Sequence, residues 1–272
     1  MMTELTALET TLEGGVLSVF LNRPAQRNAM SLTMVAELSE TLKRAEGDPA
    51  VRVLVLRGRG GHFCAGGDIK DMAGARGGEP GDGVDPLVAL SAAFGRVTEA
   101  FARCDKPVVA VLQGAVMGGG FGLSCVADVA LADETARFGL PETSLGLLPA
   151  QIAPFLVERL GYAQAKRLAV TGARLDAKAA FAIGLVHEVV ADEAALDAAL
   201  DRTLEQILRC APEATSATKR LLFRTRFERP EQLVDDAAVL FAKAARSEEG
   251  MEGMMAFVQK RAARWARGGE SA

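Results

Sequence analysis

A strand, a helix and a second strand follow one another near the N-terminus, and this order most constrains the fold. Val16–Leu21 is apolar and partly β-branched, which predicts a strand that ends before Pro24. Ser31 is a predicted N-cap for the helix that follows, and residues 51–56 predict the second strand. Strands connected through a helix belong to a parallel sheet, because antiparallel neighbours need only a short turn. The sequence therefore predicts an α/β fold.

The rest of the chain continues this pattern and then becomes helical. Two further strands are predicted, at residues 107–111 and 126–132. Two further helices are also predicted, one at residues 87–102 and a short one that follows the glycine-dense turn at residues 114–122. After Pro149 the sequence predicts helix upon helix, with residues 186–190 as the only strand-like run. We therefore expect an α/β core over residues 1–190 and a helical region over residues 191–272.

Charge and hydropathy exclude several classes of partner. The net charge of −4 over 272 residues does not favour nucleic acid or an anionic membrane as a partner. No run of about 20 apolar residues predicts a membrane span, and the first residues lack the pattern of a signal peptide. We expect a cytoplasmic protein with no nucleic-acid or membrane partner.

The sequence lacks most of the familiar catalytic motifs. The four cysteines show no zinc spacing, and we expect no metal site. The sequence has no phosphate-binding P-loop and no nucleophile elbow. The two histidines, His62 and His187, each lie near a predicted loop or strand end, where a structural role is the more common one. If the protein is an acid–base enzyme, a carboxylate is therefore the expected base.

Two loops are unusually rich in glycine, at residues 63–70 and 114–122. Glycine lets backbone N–H groups approach a ligand closely, and a glycine turn that opens a helix presents free N–H groups to an anion. Either loop alone could equally be a tight turn.

Five segments, in order along the chain, resemble the motifs of the crotonase (enoyl-CoA hydratase/isomerase) superfamily. They are residues 21–30, 63–72, 114–128, 138–142 and 247–261. The resemblance implies a crotonase-like spiral of β-β-α units with a helical C-terminal trimerisation region. It also implies a homotrimer or a dimer of trimers, and an acyl-CoA thioester as the substrate. No cofactor is expected, since coenzyme A is part of the substrate.

The resemblance also implies roles for individual residues. Gly67 and Gly119 would supply the two N–H groups of an oxyanion hole, and Glu142 would be the catalytic acid–base. A larger set would contact the coenzyme A ester, namely Arg27, Ala29, Ala65, Gly67, Asp68, Ile69, Lys70, Gly118, Gly119, Gly122 and Lys260.

One position departs from the family pattern. Gly122 stands where hydratases with two glutamates carry their first acid, one helical turn beyond Gly119. We expect either that this glycine leaves open space for the acyl group, or that it is glycine because of positive φ or close helix packing.

The missing acid leaves several functions open. A single glutamate suits a one-base hydration or a double-bond isomerisation. The sequence of residues 142–155 resembles the corresponding segment of bacterial hydratases that act on glutaconyl-type CoA esters, with methylglutaconyl or isohexenylglutaconyl groups. Hydration of a branched ester of this kind is therefore the first expectation, and isomerisation is the second. A non-catalytic acyl-CoA-binding or RNA-binding protein is the alternative of another class. Residues 74–86 are expected to be mobile and, with the following helix, to set specificity.

Overall fold

A computed structural model describes residues 5–78 and 83–266. Its strands are β1 (Leu8–Glu13), β2 (Val16–Leu21), β3 (Val53–Gly58), β4 (Val108–Leu112), β5 (Ala115–Met117), β6 (Val129–Asp133), β7 (Arg137–Gly139), β8 (Arg174–Asp176) and β9 (Glu188–Val190). Six of these strands form one sheet in the order β1-β2-β3-β4-β6-β9, and the other three form a small sheet in the order β5-β7-β8.

Ten α-helices surround the two sheets in the described part of the chain. They are α1 (Leu32–Gly47), α2 (Ile69–Gly77), α3 (Pro86–Arg103), α4 (Gly119–Val126), α5 (Ala153–Thr171), α6 (Ala177–Ala182), α7 (Glu193–Leu208), α8 (Pro212–Arg224), α9 (Pro230–Arg246) and α10 (Glu248–Val258). Among the described residues, no helix combines the length and apolar character that a membrane crossing requires.

The predicted strand–helix–strand unit is present. Strands β2 and β3 pair in parallel, with α1 as the connection, and Ser31 caps α1 by accepting a hydrogen bond from the Met34 N–H. Strand β4 is buried at every residue, as expected for a strand covered on both faces. Strand β1 was not predicted. It forms an antiparallel hairpin with β2 through Gly14 and Gly15, both of which have positive φ.

The chain alternates between the two sheets. Strand β4 lies in the large sheet, β5 in the small one, and α4 follows; β6, β7 and α5 repeat this order. This is a repeated β-β-α unit, as the resemblance implied. The prediction of a single strand-like run after Pro149 is wrong, because β8 also lies there. Strand β8 has three residues, too few for its periodicity to be recognised.

The region after residue 190 is helical, as predicted, but its helices do not all pack alike. Helix α7 buries Leu196, Ala199 and Leu208 against the large sheet, so it completes the core. The predicted boundary at residue 190 therefore falls before a helix that belongs with the sheet. Farther on, Val234 and Phe241 of α9 are exposed.

The segment between the two glycine loops is more ordered than predicted. Residues after Gly67 were expected to form a loop, but α2 begins at Ile69 because the Asp68 side chain caps it by accepting from the Lys70 N–H at 2.9 Å. The expected mobility of residues 74–86 falls partly on residues 79–82, which lie outside the described residues.

Candidate active site

The two glycine loops lie side by side, although about 50 residues separate them along the chain. The Cys64 N–H donates to the Ala115 carbonyl at 2.8 Å, and the Met117 N–H donates to the Cys64 carbonyl at 2.9 Å. Gly66 and Gly118 both have positive φ, which turns the two loops at neighbouring points. A Cβ atom at Gly118 would lie 3.6 Å from the Gly66 Cα, which shows how close the two turns are.

The first loop is anchored from behind by residues of the segment that follows β2. Buried Asn28 donates through Nδ2 to the carbonyls of Arg59 and His62, and accepts from the Arg23 N–H. The Met30 N–H donates to the Gly66 carbonyl at 2.8 Å, and the Asp68 N–H donates to the Met30 carbonyl at 3.0 Å. These bonds fix the backbone on both sides of Gly67.

Gly67 and Gly119 line a common cavity of about 340 Å³. Gly119 is the first residue of α4, where a backbone N–H has no partner within the helix. Among the described residues, neither glycine N–H donates to another protein group. Two free backbone donors, one of them at the positive end of a helix dipole, can stabilise negative charge on an oxygen atom.

Glu142 lines the same cavity and begins a short 3-10 turn at Thr143–Leu145. Its Oε2 atom is buried and has no hydrogen-bond partner among the described residues. Burial raises the pKa of this carboxyl above its ordinary value, against the opposing effect of its own backbone N–H. Gly118 has positive φ, and a Cβ atom there would lie 2.9 Å from Glu142 Oε1, so a side chain at this position would displace the Glu142 carboxylate.

The cavity's other two carboxylates are already engaged. Asp68 pairs with Arg23 at 2.8 Å. Burial raises the pKa of Asp68, but the hydrogen bond and charge of Arg23, together with the Lys70 and Asp71 N–H groups, outweigh burial, and the pKa of Asp68 is lowered. Asp71 accepts from the Leu32 N–H at 2.7 Å. Glu142 is therefore the one uncommitted carboxylate among the described residues of the cavity.

The structure brings together most of the predicted site. Seven predicted residues line the cavity: Ala65, Gly67, Asp68, Ile69, Gly118, Gly119 and Glu142. Arg27 lines an adjacent cavity of about 320 Å³, which shares Ala65 with the first one. Three further predicted residues do not line the main cavity, namely Ala29, Lys70 and Lys260.

These outlying residues have other surroundings. The Ala29 carbonyl accepts from Arg23 Nη1 at 2.5 Å, and the Arg27 carbonyl accepts from the Ala65 N–H at 3.0 Å. The Arg27 carbonyl therefore also holds the first glycine loop in place. Lys70 is exposed on α2, and Lys260 is exposed just after α10.

Gly122 does not line the cavity, and it leaves no open space. A Cβ atom at this position would lie 2.2 Å from Ile152 Cγ2. Gly122 lies within α4 and has no positive φ, so of the two expectations the one of close packing is correct. The expectation of open space is wrong, because the Ile152 side chain fills the volume that a side chain at position 122 would need.

Several residues of the cavity were not predicted individually. Helix α3 contributes Ser91 and Phe94, and the segment before α5 contributes Gln151 and Ile152. The helix after residue 86 was expected to influence specificity, and it does line the cavity. Which of its faces would do so depends on the packing of α3 against α1, α2 and α4, which no motif encodes.

The two histidines have structural roles. His62 Nδ1 accepts from the Ala115 N–H at 3.1 Å, and His187 Nδ1 accepts from the Ala130 N–H at 2.9 Å. Neither lines the cavity. In the described part of the chain, no three His, Cys, Asp or Glu side chains gather in a group that could hold a metal ion.

Known proteins resemble this chain over nearly its whole length. Residues 11–268 match the profile of the family described as enoyl-CoA hydratase/isomerase. A crystal structure of an enoyl-CoA hydratase/isomerase from Marinobacter aquaeolei is 53% identical, with a TM-score of 0.93, over 96% of this chain and 99% of that one. Pseudomonas aeruginosa AtuE is also 53% identical, with a TM-score of 0.93, over 96% of this chain and 100% of that one.

Among curated relatives, a protein of Rhizobium meliloti named "Probable enoyl-CoA hydratase" is 36% identical over 260 residues. The match covers 92% of this chain and 94% of the relative. The similarity of sequence and structure confirms the predicted fold.

Proposed function

Because the chain belongs to the enoyl-CoA hydratase/isomerase family, we propose that it adds water to a 2-enoyl-CoA thioester with Glu142 as its single acid–base. The observation that carries this proposal is the unpartnered, buried Oε2 of Glu142 in the same cavity as the free N–H groups of Gly67 and Gly119. The three groups match the needs of an enolate-forming reaction, namely one proton carrier and two donors for an oxyanion.

The reaction proceeds in two halves. The thioester oxygen accepts hydrogen bonds from the Gly67 and Gly119 N–H groups. The Glu142 carboxylate removes a proton from water while the water oxygen bonds to C3, and the electrons of the double bond move to the thioester oxygen. Protonated Glu142 then returns its proton to C2, and the thioester carbonyl re-forms. One water is added, and the enzyme returns to its starting state.

The electrostatics of the cavity suit both donors and base. A preorganised oxyanion donor contributes about 3–4 kcal/mol of transition-state stabilisation in a well-studied hydrolase. The raised pKa of Glu142 helps in the first half, because a carboxylate whose conjugate acid has a higher pKa is a stronger base toward the attacking water. Gly122 supplies no second acid, so the base and the proton donor are the same residue.

We propose a branched, glutaconyl-type acyl group as the substrate. The sequence of residues 142–155 resembles the corresponding segment of hydratases that act on such esters. This segment supplies one wall of the cavity. That wall carries three exposed leucines, Leu145, Leu147 and Leu148, which suit a bulky hydrocarbon branch.

Double-bond isomerisation is the second candidate, because it also needs only one proton carrier. Incubation with a panel of straight-chain and 3-methyl-branched 2-enoyl-CoA and glutaconyl-CoA esters separates the two reactions. Loss of the ultraviolet absorbance of the conjugated thioester, with a mass gain of one water, is the expected result. A moved double bond at unchanged mass would establish an isomerase and contradict the proposed hydration.

Assembly and location are proposed from the resemblance alone. We propose a homotrimer or a dimer of trimers in the cytoplasm, with no cofactor beyond the coenzyme A of the substrate. Exposed apolar side chains on α9 and α10, such as Phe241 and Phe257, would be covered in the assembly.

A further inference from the structure

Two polar side chains stand out in the apolar wall of the cavity. Ser91 lies on α3, and Gln151 lies just before α5. Gln151 Nε2 donates to Ser91 Oγ at 3.1 Å, which joins these two segments of the lining. Their neighbours along the chain that also line the cavity are apolar, for example Leu90 and Ile152.

The hydrogen-bonding capacity of this pair is only partly used. The bond between them leaves the Ser91 hydroxyl proton and the second N–H of Gln151 without an acceptor among the described residues. The other polar side chains of the cavity have backbone or ionic partners, because Ser31 caps α1, Asp71 accepts from the Leu32 N–H and Asp68 pairs with Arg23. Ser91 and Gln151 differ from them, because they are bonded to each other and both keep a hydrogen-bond donor without an acceptor among the described residues.

Helix α3 is shaped to receive Gln151. A Cβ atom at Gly95 would lie 2.1 Å from Gln151 Oε1, so the amide rests on the bare backbone of this residue. Glycine inside a helix costs about 1 kcal/mol relative to alanine. The amide is therefore held between Gly95 and Ser91.

We propose that Ser91 and Gln151 bind a carboxylate carried on the acyl chain beyond the reacting double bond. This assignment rests on the proposed function, since it names the feature of the substrate that the wall would recognise. The hydroxyl and the amide would each donate one hydrogen bond to a carboxylate oxygen. Ser91 and Gln151 act as specificity residues, and Glu142 with the glycine amides carries out the reaction.

Neutral donors suit this position. The described lining contains no lysine, arginine or histidine, so no cation is present to bind the carboxylate as an ion pair. Hydrogen bonds to a charged group are stronger than those between neutral groups. Both Ser91 and Gln151 are half-buried, so a carboxylate bound there keeps water on its outer side and avoids the full cost of desolvation.

Binding of two unreactive thioesters tests the proposal independently of turnover. Glutaryl-CoA carries a terminal carboxylate, and pentanoyl-CoA has a methyl group in its place. We expect calorimetry on the wild-type protein to show glutaryl-CoA binding about tenfold more tightly, as one or two charged hydrogen bonds predict. Gln151→Leu should remove this preference and leave pentanoyl-CoA binding unchanged or tighter.

Gly95→Ala provides a second test without altering either polar group. Its methyl group must displace the end of the Gln151 side chain, so the preference for glutaryl-CoA should fall as it does in Gln151→Leu. The matched control is Gly74→Ala on α2, where an added Cβ meets no atom within 4 Å and the preference should persist.

The results separate the two proposals. A wild-type preference below about twofold would overturn the assignment. A preference that survives both Gln151→Leu and Gly95→Ala would also overturn it. If the preference depends on Gln151 but no enoyl-CoA ester gains water, the carboxylate site stands and the proposed hydration fails.

Discussion

Gly122→Ala tests whether Ile152 has taken the place of a side chain at position 122. The added Cβ would lie 2.2 Å from Ile152 Cγ2, so the two groups must separate by more than about 1 Å to reach ordinary contact. Overpacking of this kind costs about 1–3 kcal/mol. Alanine regains about 1 kcal/mol of helix propensity, so we expect a net loss of up to about 2 kcal/mol in the free energy of unfolding.

When Ile152 is shortened, Gly122→Ala should no longer lower the free energy of unfolding. Ile152→Ala alone should destabilise by about 2–5 kcal/mol, because it opens a cavity under α4. In that background the nearest remaining side-chain atom to the new methyl is the Cβ of residue 152, at 3.2 Å. Gly122→Ala should then be neutral or stabilise by up to about 1 kcal/mol.

Urea unfolding of the four proteins at one fixed protein concentration measures this coupling. Gly122→Glu would meet the same obstacle, so it should not gain crotonyl-CoA hydration unless Ile152 is also made small. If Gly122→Ala changed stability equally in both backgrounds, within about 0.5 kcal/mol, the packing argument would be refuted.

Four further predictions concern the reaction and the assembly. Because Glu142 must be ionised to accept a proton and burial raises its pKa, kcat/KM should fall as the pH drops through a midpoint above that of an ordinary glutamate. Glu142→Gln should remove turnover with ester affinity changed only a few-fold; more than about a tenth of wild-type kcat would exclude Glu142 as the base. Gly119→Pro should lower kcat by about a hundredfold, because it removes the N–H at a helix position that accepts proline. Gly119→Ala keeps the N–H and should retain much more activity. The folding of both variants is checked by circular dichroism, and equal activities would contradict the oxyanion role. Light scattering at micromolar concentration should give a trimer or a multiple of three, and a monomer or simple dimer would contradict the proposed assembly.

The elements that the sequence predicted well are those whose signals are local. Strand β2 was predicted with its observed bounds, and α3 to within one residue at each end. A strongly apolar run and an amphipathic helix can both be recognised from the local sequence pattern. The hairpin turn at Gly14 and Gly15 also has a local signal, since two adjacent glycines suit its positive φ values, but this hairpin was not predicted.

What the sequence could not supply was contact between distant segments. The glycines of the two loops and Glu142 were predicted through motifs, and the structure places them around one cavity. The contact of Gln151 with Ser91, and that of Ile152 with Gly122, depends on how the segment before α5 packs against α3 and α4. The glycine at position 122 suggested open space for the acyl group, whereas the side chain of Ile152, 30 positions later in the chain, fills that space.

The two ends of the cavity differ in how firmly they are attached to the rest of the molecule. The glycine loops are bonded to each other, whereas the wall formed by residues 145–151 is largely exposed. Local opening therefore requires less free energy at that wall than at the loops. Amide hydrogen exchange should accordingly be faster there. An acyl chain can enter or leave through a local movement of this wall that leaves the two glycine amides in place.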